Sequence, residues 1–193
     1  MTDETSSAAP RRRRADAERN RQALLEAARA ALADGAAPFS LEAVARAAGV
    51  GIGTLYRNFP TKESLVAAVY EAQVTELIDE AGRLLDRLPP GEALGEWLRR
   101  FAHLAATKRG MLDALRRGVL ESVQQDDVAG RRGRLAAAIA PILDAGARDG
   151  SLRGDVQAED VVVLAAGALM PVEVDAARVE RLLGLVTDAL RPA

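Results

Sequence analysis

The sequence predicts an all-α fold: an N-terminal three-helix head containing a helix-turn-helix, then a longer helical body, with about nine helices in all. Three observations lead there. The 193-residue chain is 49% apolar but only 3% aromatic, and its bulk is Ala, Leu, Arg and Glu, the residues that lose least on entering a helix. Apolar residues recur at three- and four-residue spacing, the period of a helix with one buried face. Gly and Pro fall between these stretches, where they end one helix and leave room for the next.

Composition also removes whole classes of chemistry. No Cys is present, which excludes disulfides, thiolate-bound zinc, Cys-attached haem and a thiol nucleophile. The single His, His103, excludes a two-histidine HExxH zinc motif. Carboxylates are scattered without a convergent acid/base set, so neither an enzyme nor a metal or cofactor is expected. The longest apolar run, 161–172, is too short to span a bilayer, and no signal peptide opens the chain. A cytoplasmic protein is expected.

Residues 1–15 are polar and small, then basic through Arg11-Arg12-Arg13-Arg14, and predict a disordered basic arm. Asp16 is positioned to cap a first helix reaching Gly35, with Leu24, Ala28, Ala31 and Leu32 as its apolar stripe. Ser40 caps a short second helix that buries Leu41, Val44, Ala45 and Ala48, and Gly49 stops it. A third runs from about residue 51 to 59, where Pro60 forbids continuation. Thr61 caps a fourth, which reaches about residue 87 before Pro89-Pro90-Gly91. Five more segments follow near 92–107, 111–125, 131–148 (bent at Pro141), 158–170 and 175–190. The domains are thus an arm (1–15), a head (16–61) and a body (62–193).

Two short helices joined by a tight Gly turn cannot bury enough surface alone and must pack on the first helix, which is the helix-turn-helix arrangement. With Leu55 at the centre of the buried face, steps of about 100° put Phe59 beside it. Gly53, Thr54, Tyr56 and Arg57 fall outside, with Asn58 on the flank. Gly53 lets backbone approach a groove wall. Thr54 and Tyr56 offer hydroxyls, and Arg57 and Lys62 offer charge, as phosphate and base-edge contacts require. Taken singly, Tyr56 and Phe59 would fit a core as well as an interface; it is the whole block that points to double-stranded DNA. Gly49-Val-Gly-Ile-Gly53 is no phosphate loop, because it follows a helix and lacks GxGxxG spacing.

Val50-Gly-Ile-Gly-Thr-Leu-Tyr-Arg-Asn-Phe-Pro-Thr-Lys-Glu-Ser-Leu65 resembles the signature of the tetracycline-repressor (TetR) family of bacterial transcriptional regulators. Leu24-Leu-Glu-Ala-Ala28 and Val44-Ala-Arg-Ala-Ala-Gly-Val50 are similar to that family's first and second helices. The resemblance implies a DNA-binding head, a helical body that takes a small-molecule effector, and homodimers built on the last two helices. It implies DNA contacts at Thr54, Tyr56 and Lys62, mostly to the backbone; with Ser40, Ile52, Gly53, Arg57 and Asn58 these make up the expected DNA-contacting set. Phe39 and Leu32 depart from the family pattern, and Asn58 and Ile52 leave base preference open. The expected function is a repressor released from a palindromic operator by an effector; the alternatives are an architectural DNA-binding protein without effector, or an all-α enzyme.

From residue 11 to 62 there are ten Lys+Arg against five Asp+Glu, although the whole chain has net charge −2. An acidic total does not oppose DNA binding, since counterion release depends on charges at the contact face. In the body, the segment 161–170 is apolar all round and should be covered on every side. Val179, Leu182, Leu183, Val186 and Leu190 form a stripe on the last helix. With Val162 and Leu169 they are the expected dimer interface. Trp97, Phe101, Leu104, Met111, Leu115 and Met170, with His103 nearby, are the candidates for lining an effector pocket.

Overall fold

The computed structural model describes residues 8–34, 39–116, 128–169 and 175–192. Among them are eight α-helices and no strand: α1 (Ala8–Asp34), α2 (Leu41–Ala47), α3 (Ile52–Asn58), α4 (Lys62–Leu85), α5 (Pro90–Arg116), α6 (Val128–Asp149), α7 (Ala158–Leu169) and α8 (Ala176–Ala189). They fall into two compact units, one of Met1–Val69 with Asp113–Val123 and the other of Tyr70–Leu112 with Gln124–Ala193. Helices α4 and α5 each contribute to both.

In the first unit α1, α2 and α3 pack on one another. Leu24 and Ala28 of α1, Leu41, Val44 and Ala45 of α2, and Leu55 and Phe59 are buried, as are Leu65, Val66 and Val69 at the start of α4. Ala31, Leu32 and Ala48, expected in the core, are only half-buried. The unit boundary lies beyond the expected one at residue 62, because the first turns of α4 carry buried side chains. Helix α1 starts ahead of the expected Asp16 cap, so Arg11–Arg14 lie in its opening turns rather than in an irregular arm. Residues 1–7, and the Gly35 stop with its connector to Pro38, lie outside the described residues.

In the second unit one apolar cluster runs from α4 (Val74, Leu77, Ala81, Leu84) through α5, α6 and α7 to Leu183, Val186 and Leu190. Trp97 is sealed within it, stacked on Phe101 with ring centroids 5.5 Å apart. Its indole Nε1–H donates to the Leu77 carbonyl at 3.1 Å, so its one polar atom is satisfied despite burial. At the end of α6, Gly146 lies under Leu152: a Cβ there would stand 2.5–2.8 Å from Leu152 Cδ1, Cγ and Cβ. Further on, the Arg153 N–H donates to the Leu190 carbonyl at 2.9 Å, while its guanidinium is held by Asp155 at 2.6 and 2.7 Å.

The expected helices near 92–107 and 111–125 are joined: α5 continues through Gly110 to Arg116. Gly inside a helix costs about 1 kcal/mol relative to Ala and stops it only when the chain turns left-handed there. Residues 117–125 lie outside the described residues. Pro141 sits within α6 and is solvent-exposed.

Candidate nucleic-acid interface

Each boundary of the helix-turn-helix is held by local hydrogen bonds. Ser40 caps α2: its Oγ accepts from the Ala43 N–H at 3.3 Å and its hydroxyl donates to Glu42 Oε2 at 2.7 Å. That bond, reinforced by the Glu42 backbone and the Lys62 charge, lowers the Glu42 pKa below its ordinary value. The Ser40 hydroxyl is therefore engaged in the cap, and its expected role at DNA is not as a free donor. At the other end of α2, the Gly49 N–H donates to the Arg46 carbonyl and the Val50 N–H to the Ala45 carbonyl. This paired closure needs a left-handed residue, and Gly49 supplies it at φ +65°. Thr61 and Ser64 then cap α4 reciprocally, each backbone N–H donating to the other's side-chain oxygen at 3.1 Å.

Between these fixed ends α3 turns one face inward and one outward. Leu55 and Phe59 are buried, and the Arg21 guanidinium of α1 lies 4.6 Å from the centre of the Phe59 ring. Gly53 and Arg57 are exposed, Ile52 is 41% exposed and Tyr56 45% exposed. Thr54, Asn58 and Lys62 are half-buried. An Arg57 Nη2–H donates to Thr54 Oγ1 at 2.8 Å, which lays the guanidinium along the helix. Asn58 Nδ2–H donates back to the Thr54 carbonyl at 2.9 Å, leaving its amide oxygen as the group it can offer outward. Seven of the eight residues named from the sequence thus gather on or beside α3, while Ser40 belongs to the opening of α2. The Arg21–Phe59 stacking was missed; only the tertiary fold brings α1 beside that ring.

Two family models match the chain: bacterial regulatory proteins of the tetR family over residues 24–69, and the C-terminal domain of SbtR-like transcriptional regulators over residues 89–192. The chain belongs to the TetR family. A TetR transcriptional regulator of Streptomyces coelicolor is 42% identical and superposes with a TM-score of 0.74, over 90% of this chain and 99% of that one. One from Mycobacterium vanbaalenii is 34% identical, with a TM-score of 0.71 over 93% and 99%. A more distant regulator from Mesorhizobium loti, 18% identical with a TM-score of 0.56 over 90% and 95%, shares the fold. This is a DNA-binding transcriptional regulator, and its head is the part that the tetR model covers.

In the regulator's body the structure gives the burial of the remaining candidates. Trp97, Phe101 and Leu104 are core, packed on α4 and one another, because the helix face that carries them is the one that closes the unit. His103 is exposed on the flank of α5. Met111 and Leu115 are on α5, but their side chains, like all of Met170, lie outside what is described. An open cleft of about 450 Å³ is found elsewhere, between α5 and α8, lined in part by Gly91, Gly95, Leu183, Gly184 and Thr187.

The expected dimer residues divide by burial. Val162, Leu169, Leu183, Val186 and Leu190 are buried in the chain's own core, with Val179 and Leu182 half-buried. Helix α7, expected to be covered on every side, leaves Val163 44% and Leu164 47% exposed, and α8 leaves Leu185 66% exposed. The apolar stripe read along α8 is the face that closes the monomer. The opposite face is the exposed one.

Proposed function

We propose that this TetR-family regulator is a homodimeric repressor that holds a palindromic operator and is released by a small-molecule effector. One observation carries the DNA half of the reading: α3 seals Leu55 and Phe59 inward while presenting Ile52, Gly53, Tyr56 and Arg57 to solvent. Tyr56 sets an aromatic ring and a hydroxyl on this outer face, and with no hydrogen bond among the described residues that hydroxyl is available to a phosphate.

A single short helix reads few base pairs, so operator selectivity calls for two. Exposed Val163, Leu164 and Leu185 on the last two helices support a two-fold four-helix interface. Paired heads about 34–36 Å apart would then meet successive major grooves on one side of the duplex. Helix α4 runs unbroken from Lys62 to Leu85, so a shift of it within the body moves the head. An effector releases DNA only by preferring the arrangement in which the two heads no longer fit, whatever its absolute affinity.

Selection of duplexes from a random library by the full-length protein tests this reading. Enrichment of a two-fold symmetric site, with half-site centres about one helical turn apart, is expected. Recovery of unenriched sequence would leave an architectural binder instead.

A further inference from the structure

Most outward residues of α3 have little with which to tell one base pair from another. Ile52 and Gly53 carry no hydrogen-bonding side chain, and Tyr56 has a single hydroxyl. Asn58 is half-buried, with its amide nitrogen tied back to the Thr54 carbonyl. Arg57 differs. It is exposed, and one of its five N–H groups is committed, from Nη2 to Thr54 Oγ1 at 2.8 Å. No carboxylate pairs with it among the described residues. Whichever Nη2 hydrogen Thr54 takes, one edge of the guanidinium keeps two parallel donors.

The Thr54 bond also decides where those donors are. Arg57 comes late in the sequence of α3, which spans Ile52–Asn58. Long helical side chains lean back over the preceding turn, and the bond to a residue three positions earlier fixes the guanidinium there, over the turn that holds Gly53 and Thr54. A Cβ on Gly53 would meet nothing within 4 Å, so no close packing among the described residues requires glycine at this exposed position. Its bareness lets the helix backbone come close to a groove. The first residues of a recognition helix are those that reach base edges. The donors of Arg57 are therefore carried from the rear of the helix to the part where bases are read.

We propose that Arg57 reads a guanine in each operator half-site, its free edge donating to O6 and N7 in the major groove, and that Thr54 is the positioning residue that aims it. The assignment rests on the regulator reading above. Guanine presents two acceptors side by side, which two parallel N–H donors match, whereas adenine replaces one of them with an amino donor. A phosphate contact needs no such aim and carries no base preference. Thr54 accepts from Arg57 and keeps its own O–H, so the same hydroxyl can still donate to a phosphate.

The test selects duplexes from a random library with the full-length wild type and with Arg57→Gln, Thr54→Val and Thr54→Ser. Affinity is then measured for the wild-type duplex and for copies with single base pairs changed, at two salt concentrations. The wild type should require a G·C pair in each half-site, losing about 5- to 150-fold when that pair is replaced. Arg57→Gln, whose amide suits adenine, should drop that requirement or move it to A·T at the same position and keep the others. Because Arg57 is exposed, this variant leaves the core of the head intact. Thr54→Val should flatten the preference at that one pair, and Thr54→Ser, which restores the acceptor, should recover it. A wild-type half-site without a required G·C pair overturns the proposal, as does an R57Q protein that still demands one. So does an R57Q loss that is equal on every duplex and comes with a shallower salt dependence, the mark of a phosphate contact. A T54V protein that reads as wild type, or a T54S protein as indifferent as T54V, overturns the role of Thr54. If the wild type enriches no sequence at all, the regulator reading itself falls, and this assignment with it.

Discussion

Neighbouring residues on α3 should separate folding from DNA binding. Leu55 is fully buried at the centre of the head, whereas Tyr56 is 45% exposed. Leu55→Ala removes a sealed side chain and leaves a cavity that a helix pinned at Gly49 and Thr61 can only partly close. The cost is about 3 kcal/mol, within the usual range for buried Leu→Ala. A head of this size has only about 3–8 kcal/mol of stability to lose, and each kcal/mol moves its melting by about 4–8 °C. Its transition should therefore fall by more than about 10 °C. Tyr56→Phe removes an oxygen with no partner among the described residues, so stability should stay within about 0.5 kcal/mol. Affinity for duplex should drop roughly two- to tenfold, the value of one hydrogen bond, and equally on selected and scrambled sequence. Amide exchange in α2 and α3 reads head stability; fluorescence anisotropy of labelled duplex reads affinity. An L55A head that exchanges like wild type, or a Y56F head that is destabilised, would refute the orientation of α3.

Leu185→Glu should abolish dimerisation in sedimentation velocity with the melting temperature of the monomer preserved, whereas Val186→Glu should unfold the body, because Val186 is buried in the core. Gly146→Ala should cost about 1–3 kcal/mol through collision with Leu152, while Gly91→Ala, whose nearest neighbour is Ser151 Cβ at 3.8 Å, should be near neutral in thermal melts. The Arg153 guanidinium holds the Asp155 pKa down to about 2. A depressed carboxylate contributes stability above its unfolded value near 3.8 and loses it as pH falls toward 2. Asp155→Asn should therefore melt with a shallower pH dependence across that window, and the difference from wild type should shrink in high salt.

The head was legible because its signals are local. Ser40, Gly49, Pro60 and Thr61 act within a few residues of themselves, through caps, a left-handed turn and a forbidden N–H, so the limits of α2 and α3 follow without knowledge of the rest. The inward and outward faces of α3 follow equally, since a seven-residue helix bounded on both sides by turns has one way to bury Leu55. The start of α1 was misjudged for a related reason: a basic run lowers helix propensity only weakly, and continuity with an apolar-striped helix outweighs it.

The body resisted because apolar periodicity marks a face that must be covered and is silent on what covers it. The stripe of Leu183, Val186 and Leu190 was equally compatible with a partner chain or with the chain's own core, and the same holds for Trp97 and Phe101 against a ligand. Only the packing of α5, α6 and α7 decides these cases, and it decides for the core. Local chemistry therefore specified the family and the DNA-reading helix. The choice between interior, interface and pocket was left to contacts between residues far apart in the chain, such as Leu77 with Trp97 and Arg153 with Leu190, because burial is a property of neighbours in space and not of neighbours in order.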